Sequence, residues 1–289
     1  MAVTTGLVLV NPRSGQLLDP IDEVRKHFCG HEIVVCEGDE LGDLARAAID
    51  RSPDFIAVAG GDGSIRSVAS LLAGTGIPLI PVPTGTRNHF ARELGIGSVA
   101  AAAAAAHGTR RRVDLAEVNG ERFVNNASIG FYAALVRERD ARKGRLPKAL
   151  ANVTAAWAQA RKGHRFRADV GGRSYRAWLV FVGNGCYGEG ITDLMNRATL
   201  DVARLDVRVL RADPPLARTR TVLALLLGRV GASPLIVRSE ECDVEVGLAT
   251  PWVQVALDGE VVTLEPPLTF TSLPAALTVL VPSPDPTLA

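Results

Sequence analysis

The 289-residue sequence lacks several features that would place it in a class at once. It has only four cysteines, at positions 29, 36, 186 and 242, and none of them forms a C-x-x-C pair. We therefore expect reduced thiols, with neither a disulfide scaffold nor a cysteine-bound metal cluster. The longest apolar runs, Val99–Ala106 and Val222–Leu227, are far shorter than the ~18 residues that span a bilayer, and the first residues carry no basic signal region. These absences predict a cytoplasmic protein.

The sequence also has little net charge, +1 at pH 7, which argues against nucleic acid as its main partner. It contains no G-K-[ST] element and no H-R-D element, which excludes a P-loop kinase and a protein kinase. Hydrophobic residues make up 47% of the chain, enough to bury a real core in one large domain or two smaller ones.

The pattern of apolar residues predicts two different halves. Up to about residue 110, buried apolar strands alternate with helices, which is typical of a parallel α/β sheet. After that point many short strands occur, with two-residue turn signals at Asn119-Gly120, Gly171-Gly172 and Asp258-Gly259, and this favours an antiparallel domain. Three helices are also expected in the second half, at 131–142, 149–161 and 215–228.

Three loops in the first half, at 11–15, 60–64 and 84–88, each follow a strand and are rich in glycine, asparagine or serine. Ligands of open parallel sheets bind at the carboxyl ends of the strands, and glycine lets backbone N–H groups approach an anion closely. The three loops together therefore predict a phosphate-rich ligand. The alternative is that each loop is only a tight turn between strand and helix.

Asp62 is unusual because it places a carboxylate inside a glycine loop that is predicted to bind phosphate. At low effective dielectric, the carboxylate would repel the phosphate by several kcal/mol. Mg²⁺ between the two groups would remove this repulsion, since it binds carboxylates together with phosphate oxygens. The alternative is that Asp62 is a helix N-cap without a metal role, although Ser64 is able to cap the same helix.

Several segments resemble those of one superfamily. Val58-Ala-Gly-Gly-Asp-Gly-Ser-Ile65 resembles the G-G-D-G-T/S signature of the diacylglycerol kinase-like superfamily, which also includes NAD kinases and 6-phosphofructokinases. Pro83-Thr-Gly-Thr-Arg-Asn-His-Phe-Ala-Arg92 resembles the P-x-G-T-x-N-D-F-A-R segment of the bacterial diacylglycerol and lipid kinases. Further segments agree in order and spacing with that family, namely Asn11-Pro-Arg-Ser-Gly15, Asn125-Asn-Ala-Ser-Ile-Gly-Phe131, Gly183-Asn-Gly185 and Leu257-Asp-Gly-Glu260.

The resemblance implies a fold and a site. The fold is a parallel α/β nucleotide-binding domain, residues 1–109 with a returning strand at about 275–289, and a β-sandwich-like lipid-substrate domain, residues 110–274, with the site in the cleft between them. Glu260 would be the general base, supported by Asp258, and Asp62 would contact Mg²⁺ through the nucleotide. The implied nucleotide-binding residues are Asn11, Ser14, Gly60, Gly61, Asp62, Gly63, Ser64, Thr84, Gly85, Thr86 and Asn88.

The activity that the resemblance implies is transfer of a phosphoryl group from ATP, with Mg²⁺, to a lipid hydroxyl, first of all that of diacylglycerol to give phosphatidic acid. Two alternatives are an NAD kinase-like enzyme that acts on a soluble substrate and a regulatory homologue that binds nucleotide or lipid without turnover. The protein would work at the inner membrane face, and we predict that its basic segment 137–148 contacts anionic lipid. The sequence is compatible with a homodimer.

Two positions depart from the family pattern, and one segment suggests a different family. His89 replaces the usual Asp after Asn88. Asp201 is followed by Val202, where related kinases have a second Asp that holds a structural Mg²⁺, so we predict that Asp201 alone does not bind this ion tightly. The segment 183–188 fits the dinucleotide-binding pattern G-x-G-x-x-G, but it lies in the strand-rich half and lacks a clear helix after it.

Overall fold

The computed structural model describes residues 6–13, 19–38, 40–130, 165–188, 197, 199–215, 217 and 233–283. The chain divides into two compact units, which we call unit 1 (Met1–Leu115 with Pro274–Ala289) and unit 2 (Ala116–Leu273). Within the described ranges, no helix is long and apolar enough to cross a bilayer. The helices expected at 131–142 and 149–161 lie outside these ranges, as does most of the one expected at 215–228.

Strands and helices alternate in unit 1, as the sequence predicts. The elements are β1 (Gly6–Val10), α1 (Pro20–His27), β2 (Glu32–Val35), α2 (Leu41–Asp50), β3 (Phe55–Gly60), α3 (Asp62–Leu72), β4 (Leu79–Pro83), α4 (His89–Glu93) and α5 (Val99–Ala105). The four strands pair in parallel in the order β4-β3-β1-β2. Every residue of β1 and β3 is buried, because parallel strands are covered by helices on both faces.

Local signals in the sequence determine where two of the helices begin. The carboxylate of Asp19 caps α1, because it accepts hydrogen bonds of 3.0 Å from the N–H groups of Ile21 and Asp22. The hydroxyl of Ser98 caps α5 in the same way, with the N–H of Ala101 at 3.1 Å. The alanine run, which consists of the strongest helix-forming residue, forms α5 from this cap onward.

The described residues of unit 2 form strands that pair antiparallel. The strands are β5 (Thr109–Val118), β6 (Glu121–Phe123), β7 (Asn126–Gly130), β8 (Phe166–Val170), β9 (Arg173–Asn184), β10 (Leu205–Arg211), β11 (Ile236–Glu241), β12 (Asp243–Leu248), β13 (Val253–Leu257), β14 (Glu260–Leu264) and β15 (Leu268–Val281). The first residues of β5 and the last residues of β15 belong to unit 1.

The long strand β9 is where the sheet of unit 2 divides. Ala177 pairs with β8 on one side and with β10 on the other, whereas Val180 pairs with β7 and β10. Strands β7 and β8 therefore follow one another along the same edge of β9. Phe123 and Phe270 belong to the hydrophobic core of this unit, where their rings meet edge to face with centroids 6.4 Å apart.

All three predicted hairpin turns are present. Both residues of each pair have positive φ: 48° and 89° at Asn119-Gly120, 53° and 77° at Gly171-Gly172, and 49° and 91° at Asp258-Gly259. This is the backbone conformation that asparagine, aspartate and glycine tolerate best, and it matches the twist of antiparallel strands.

Strand β15 has two parts, 268–272 in unit 2 and 277–281 in unit 1, and the second part lies within the returning strand that the resemblance implies at about 275–289. The chain bends between them at Ala275, where φ is 50°. The bend is held by the carboxylate of Asp114, which accepts the N–H of Ala275 at 2.7 Å, and by Arg112, which donates to its carbonyl at 3.1 Å. Beyond the bend, Val279 pairs in parallel with Leu79 of β4 in unit 1.

Candidate active site

The three loops of unit 1 lie side by side at one edge of its sheet. Strands β1, β3 and β4 are parallel neighbours, with Val10 paired with Ala59 and Gly60 paired with Pro83. The N–H of Asn11 donates to the carbonyl of Ala59 at 2.9 Å. The predicted nucleotide-binding residues that the structure brings into these adjacent loops are Asn11, Gly60, Gly61, Asp62, Gly63, Ser64, Thr84, Gly85, Thr86 and Asn88. Ser14 lies outside the described residues.

The start of α3 corrects the proposal that Asp62 or Ser64 caps this helix. Gly61 is the N-cap residue, in an extended conformation, and Asp62 is the first helical residue. Ser64 lies inside the first turn, where its hydroxyl accepts a hydrogen bond of 3.2 Å from the side-chain amide of Asn11. Because a glycine cap has no side-chain acceptor, the N–H groups of this first turn remain available to an anion.

Two glycines bring the second and third loops into backbone contact. A Cβ atom on Gly85 would lie 2.5 Å from the Cα of Gly61 and 2.7 Å from Oδ1 of Asn88. Asn88 itself has φ of 53° and donates its side-chain amide to the carbonyl of Gly85 at 2.9 Å. The close approach of the two loops therefore requires glycine at position 85. The side chain of Asn88 links the two ends of the third loop by its hydrogen bond to Gly85.

We expect Gly85→Ala to weaken ATP binding by at least about tenfold, because the added methyl group must push the two loops apart in a tightly packed region. The matched control is Gly97→Ala, since a Cβ atom at Gly97 meets nothing within 4 Å. Calorimetric titration with ATP and Mg²⁺ measures both variants. Equal affinities for the two variants would show that contact between the loops is not needed for the site.

Four enclosed polar atoms of these loops have no hydrogen-bond partner among the described residues. They are Oδ1 of Asp62, Oγ1 of Thr84, Oδ1 of Asn88 and Nε2 of His89. Burying such an atom without a partner costs about 1–3 kcal/mol, so a group of four in two adjacent loops marks a place where a polar ligand is expected.

Asp62 supplies an oxygen ligand for a divalent cation. Its unpartnered carboxylate oxygen stands beside the first-turn N–H groups of α3, and carboxylate oxygen is a preferred ligand of Mg²⁺. The residues present therefore fit a magnesium ion bound together with phosphate.

Burial lowers the pKa of His89 below its ordinary value, and the nearby carboxylate of Asp62 opposes this shift. The imidazole is accordingly neutral at pH 7 and adds no positive charge next to Asp62. A ring whose pKa burial lowers thus stands where the resembled family segment has an aspartate.

The acidic turn of unit 2 contains two carboxylates in different settings. Asp258 is directed onto the chain at 124–126: one oxygen accepts the N–H of Val124 at 2.7 Å, and the other accepts those of Asn125 and Asn126 at 2.7 and 3.0 Å. Glu260, the first residue of β14, is exposed. Glu260 is therefore accessible at the rim of the hairpin, whereas the Asp258 carboxylate holds a neighbouring loop.

Sequence reasoning missed a buried polar cluster in unit 2. Asp206 is fully buried, and its carboxylate accepts hydrogen bonds from Arg208 at 2.6 Å and Arg238 at 3.2 Å and from the N–H of Tyr187 at 3.0 Å. The available signal was the alternation of Asp206 and Arg208 with apolar residues in a strand, which ordinarily indicates a solvent-facing side. Buried arginines and aspartates give no other local signal.

The turn at 199–204, where the resemblance implies a structural metal, offers few ligands. Asp201 is exposed, Val202 is aliphatic, and Ala203 has φ of 53°. In the part of the chain that the structure describes, no three His, Cys, Asp or Glu residues are grouped so as to hold a metal ion. The prediction that Asp201 does not bind Mg²⁺ tightly therefore stays to be tested.

The segment 183–188 is not a dinucleotide-binding turn. The strand before it, β9, runs antiparallel to β7, β8 and β10, whereas the dinucleotide-binding motif requires a parallel β-α-β unit.

Comparison with known proteins assigns both halves of the chain. The diacylglycerol kinase catalytic domain matches residues 5–118, and the YegS C-terminal NAD kinase beta sandwich-like domain matches residues 127–281. A protein named "Probable lipid kinase YegS-like" from Pseudomonas fluorescens Pf-5 is 31% identical over 262 residues, which cover 86% of this chain and 85% of the relative. The chain belongs to the YegS-like lipid kinase family.

Two further comparisons agree with this membership. A second protein named "Probable lipid kinase YegS-like", from Pseudomonas aeruginosa PAO1, is 32% identical over 270 residues, covering 90% of this chain and 88% of the relative. The crystal structure of a diacylglycerol kinase from Bacillus anthracis strain Sterne superposes with a TM-score of 0.71 over 100% of this chain and 99% of that one, at 22% identity, and so supports the fold. The expected family and the expected fold class, a parallel α/β domain followed by a β-sandwich-like domain, are confirmed.

Membership of the YegS-like family also confirms the expected class of enzyme, a lipid kinase. A kinase of this family implies a nucleoside triphosphate as phosphoryl donor and a divalent cation.

Proposed function

We propose that this YegS-like lipid kinase transfers the γ-phosphoryl group of ATP to the hydroxyl of diacylglycerol, giving phosphatidic acid. The observation that carries the proposal is the unpartnered carboxylate oxygen of Asp62, enclosed beside the uncapped first turn of α3. A carboxylate next to an anion-binding helix start is explained when a divalent cation and phosphate bind there together.

In this proposal, the residues of unit 1 bind and orient the nucleotide. The N–H groups at the start of α3 hold phosphate oxygens, and Thr84 and Asn88 offer their unpartnered oxygens to the nucleotide or its water shell. Mg²⁺ bound at Asp62 would neutralise charge on the phosphates. Phosphoryl transfer depends mainly on such positioning and neutralisation, so the site needs no lysine of the P-loop kind.

Glu260 of unit 2 is proposed as the base. Its carboxylate accepts the proton of the lipid hydroxyl while the hydroxyl oxygen forms a bond to the γ-phosphorus and the bond from that phosphorus to the β–γ bridging oxygen breaks. The products are phosphatidic acid and ADP, and the proton on Glu260 is then released to water. General-base assistance of this kind contributes about 10²–10⁴-fold.

The test is incubation of the protein with γ-labelled ATP and Mg²⁺ and a panel of acceptors: diacylglycerol, a sphingoid base and another long-chain alcohol in mixed micelles, and soluble NAD. We expect label in phosphatidic acid. Label in NAD alone would favour the NAD kinase-like alternative. Nucleotide binding without transfer to any acceptor would favour the regulatory alternative.

We also propose that the protein contacts anionic membrane, and the described residues of unit 2 add one observation in support. A surface cavity of about 460 Å³ is lined by Arg167, Arg176 and Arg211 together with Ser174, Tyr175 and Asp213. Arg211 is paired with the carboxylate of Asp213, and Nε of Arg167 donates to the hydroxyl of Ser174 at 2.9 Å. The guanidinium groups of Arg167 and Arg176 therefore supply the unbalanced positive charge of the cavity, which suits phosphate-bearing headgroups. The basic segment 137–148 lies outside the described residues and stays a second candidate surface.

For the cavity, we expect Arg167→Gln with Arg176→Gln to lower the affinity for phosphatidylglycerol vesicles by about tenfold or more at low salt, since each basic residue contributes ~1 kcal/mol near an anionic surface. The control is Arg25→Gln with Arg46→Gln, which removes two exposed arginines of unit 1. Arg142→Gln, Lys143→Gln and Arg145→Gln test the other segment. If vesicle sedimentation shows equal binding for wild type and the cavity variant, the cavity is not a membrane contact.

A further inference from the structure

The segment Val124–Asn126 of unit 2 forms all its main-chain hydrogen bonds with residues distant in sequence. Its three N–H groups are accepted by the Asp258 carboxylate, and the carbonyl of Asn126 accepts the N–H of Asp258 at 2.9 Å. The two remaining carbonyls, of Val124 and Asn125, point the other way. Residues distant in sequence therefore hold the segment in place where the chain enters β7 at Asn126.

Arg197 is the cation on the carbonyl side. Its Nη1 donates to the carbonyls of Val124 at 2.8 Å and Asn184 at 2.7 Å, and its Nη2 donates to Oδ1 of Asn125 at 3.1 Å. The side chain is buried, with 7% of the residue exposed, and its guanidinium lies 5.6 Å from the ring centre of Tyr187. One buried positive group thus gathers three oxygens from two separate segments.

Asn184 and Tyr187 complete this side. The side-chain amide of Asn184 donates to the carbonyl of Val124 at 2.9 Å, and its N–H donates to that of Asn125 at 2.8 Å. The hydroxyl of Tyr187 donates to the same Asn125 carbonyl at 2.8 Å. The segment is consequently clamped between a carboxylate on one side and a cation with two neutral donors on the other.

Main-chain and amide oxygens are also the ligands that bind hard cations such as Mg²⁺ and Ca²⁺. The turn where the family resemblance implies a structural metal lies close to Arg197: a Cβ atom on Gly185 would be 3.4 Å from Cδ of Arg197, 3.5 Å from the carbonyl of Thr199 and 3.8 Å from Cγ2 of Val202. An aliphatic side chain and the stem of an arginine thus pack against the same glycine. These residues do not fit a metal ion, and arginine keeps its charge at every physiological pH.

We propose that Arg197 is an internal cation that replaces a structural metal ion in this chain and positions the segment Val124–Asn126. Through Asp258, the same clamp fixes the turn that carries Glu260 two residues later. Arg197 is therefore a positioning residue for the acidic turn. This last consequence rests on the proposed function, whereas the replacement of the metal does not.

The test compares Arg197→Met, which keeps the length of the side chain but not its charge, with Arg197→Lys and with the control Arg204→Met at an exposed arginine nearby. Without nucleotide, the wild-type melting temperature should be the same in millimolar Mg²⁺ and in chelator, and Asp201→Asn should not change it. Arg197→Met should melt at least about 5 °C lower in both media, since a shift of 2–4 °C per kcal/mol is expected at this size.

Hydrogen exchange and kinetics then test positioning. In Arg197→Met, the amides of Val124, Asn125 and Asn126 should exchange at least about tenfold faster, and kcat should fall at least about tenfold while KM for ATP is unchanged. Arg197→Lys should recover part of both effects, and Arg204→Met should match the wild type. A wild type that Mg²⁺ stabilises and chelator destabilises would overturn the proposal, as would equal exchange and melting in Arg197→Met and Arg204→Met. Exchange and melting need no turnover, so they remain decisive if the lipid kinase activity is not found.

Discussion

Asp62→Asn is expected to lower turnover on the lipid substrate by at least about 100-fold and to make ATP binding nearly independent of Mg²⁺. The substitution keeps the shape of the side chain but removes the charged oxygen that is enclosed without a partner beside the start of α3. Loss of a group that holds the metal and neutralises phosphate charge removes much of the stabilisation of phosphoryl transfer.

The fold should tolerate this change. The first-turn acid of a helix stabilises it by only about 0.3–1 kcal/mol, so the melting temperature should move little. Asp43→Asn provides the control, because Asp43 is an exposed first-turn acid of α2 and should leave turnover unchanged. The result against the proposal would be unchanged turnover of Asp62→Asn at saturating ATP and Mg²⁺.

The second large effect is expected at the acidic turn, where two substitutions should separate two roles. Glu260→Gln should bind ATP normally and melt like the wild type, because Glu260 is exposed, yet lose at least ~100-fold in turnover as the base is removed. Asp258→Asn should also lose most of its turnover. In addition its melting temperature should fall, because the amide keeps one oxygen for three N–H donors and turns its NH₂ toward them. The lost charge-assisted hydrogen bonds correspond to about 2–4 kcal/mol.

The control for this pair is Glu245→Gln, which changes an exposed glutamate of β12 in the same unit. It should affect neither turnover nor stability. Near-normal turnover of Glu260→Gln on its lipid would remove Glu260 as the base. An unchanged melting temperature for Asp258→Asn would mean that its three hydrogen bonds do not stabilise the loop.

Much of the fold is predictable because its signals are local. The buried runs of β1 and β3, the cap at Asp19 and the two-residue turns each lie within a few residues of the element they define. The three loops of the candidate nucleotide site are predictable for a related reason: parallel strands bring their carboxyl ends to the same edge of the sheet.

The rest of the candidate site depends on contacts that no local pattern carries. Asp258 is 132–134 residues away in sequence from the N–H groups that it accepts, and Arg197 is 72 and 73 residues from the oxygens of Asn125 and Val124. From the sequence, Asp258 is a turn residue to which the family resemblance adds a role beside Glu260, and Arg197 is only a charged residue; neither shows a contact with 124–126. Only the folded structure shows that Asp258 binds the N–H groups of the segment 124–126 while Arg197 binds its oxygens.

The start of α3 shows a failure of a local rule. Aspartate and serine are strong N-cap residues, and both stand in the right region, yet Gly61 is the cap. The close approach of Gly61 to Gly85 explains this, because the extended glycine must lie against the neighbouring loop. The departure from the capping rule therefore coincides with the site where a ligand is expected.

Transfer of label from γ-labelled ATP to diacylglycerol in mixed micelles tests most directly whether the loops around Asp62 bind ATP for phosphorylation of a lipid. The proteins compared under the same conditions are the wild type, Gly97→Ala, Gly85→Ala and Asp62→Asn. We expect labelled phosphatidic acid from the first two proteins and at least about 100-fold less from Asp62→Asn, with labelling by Gly85→Ala also strongly reduced. Equal labelling by all four proteins, or no labelled phosphatidic acid from the wild type, would contradict this expectation.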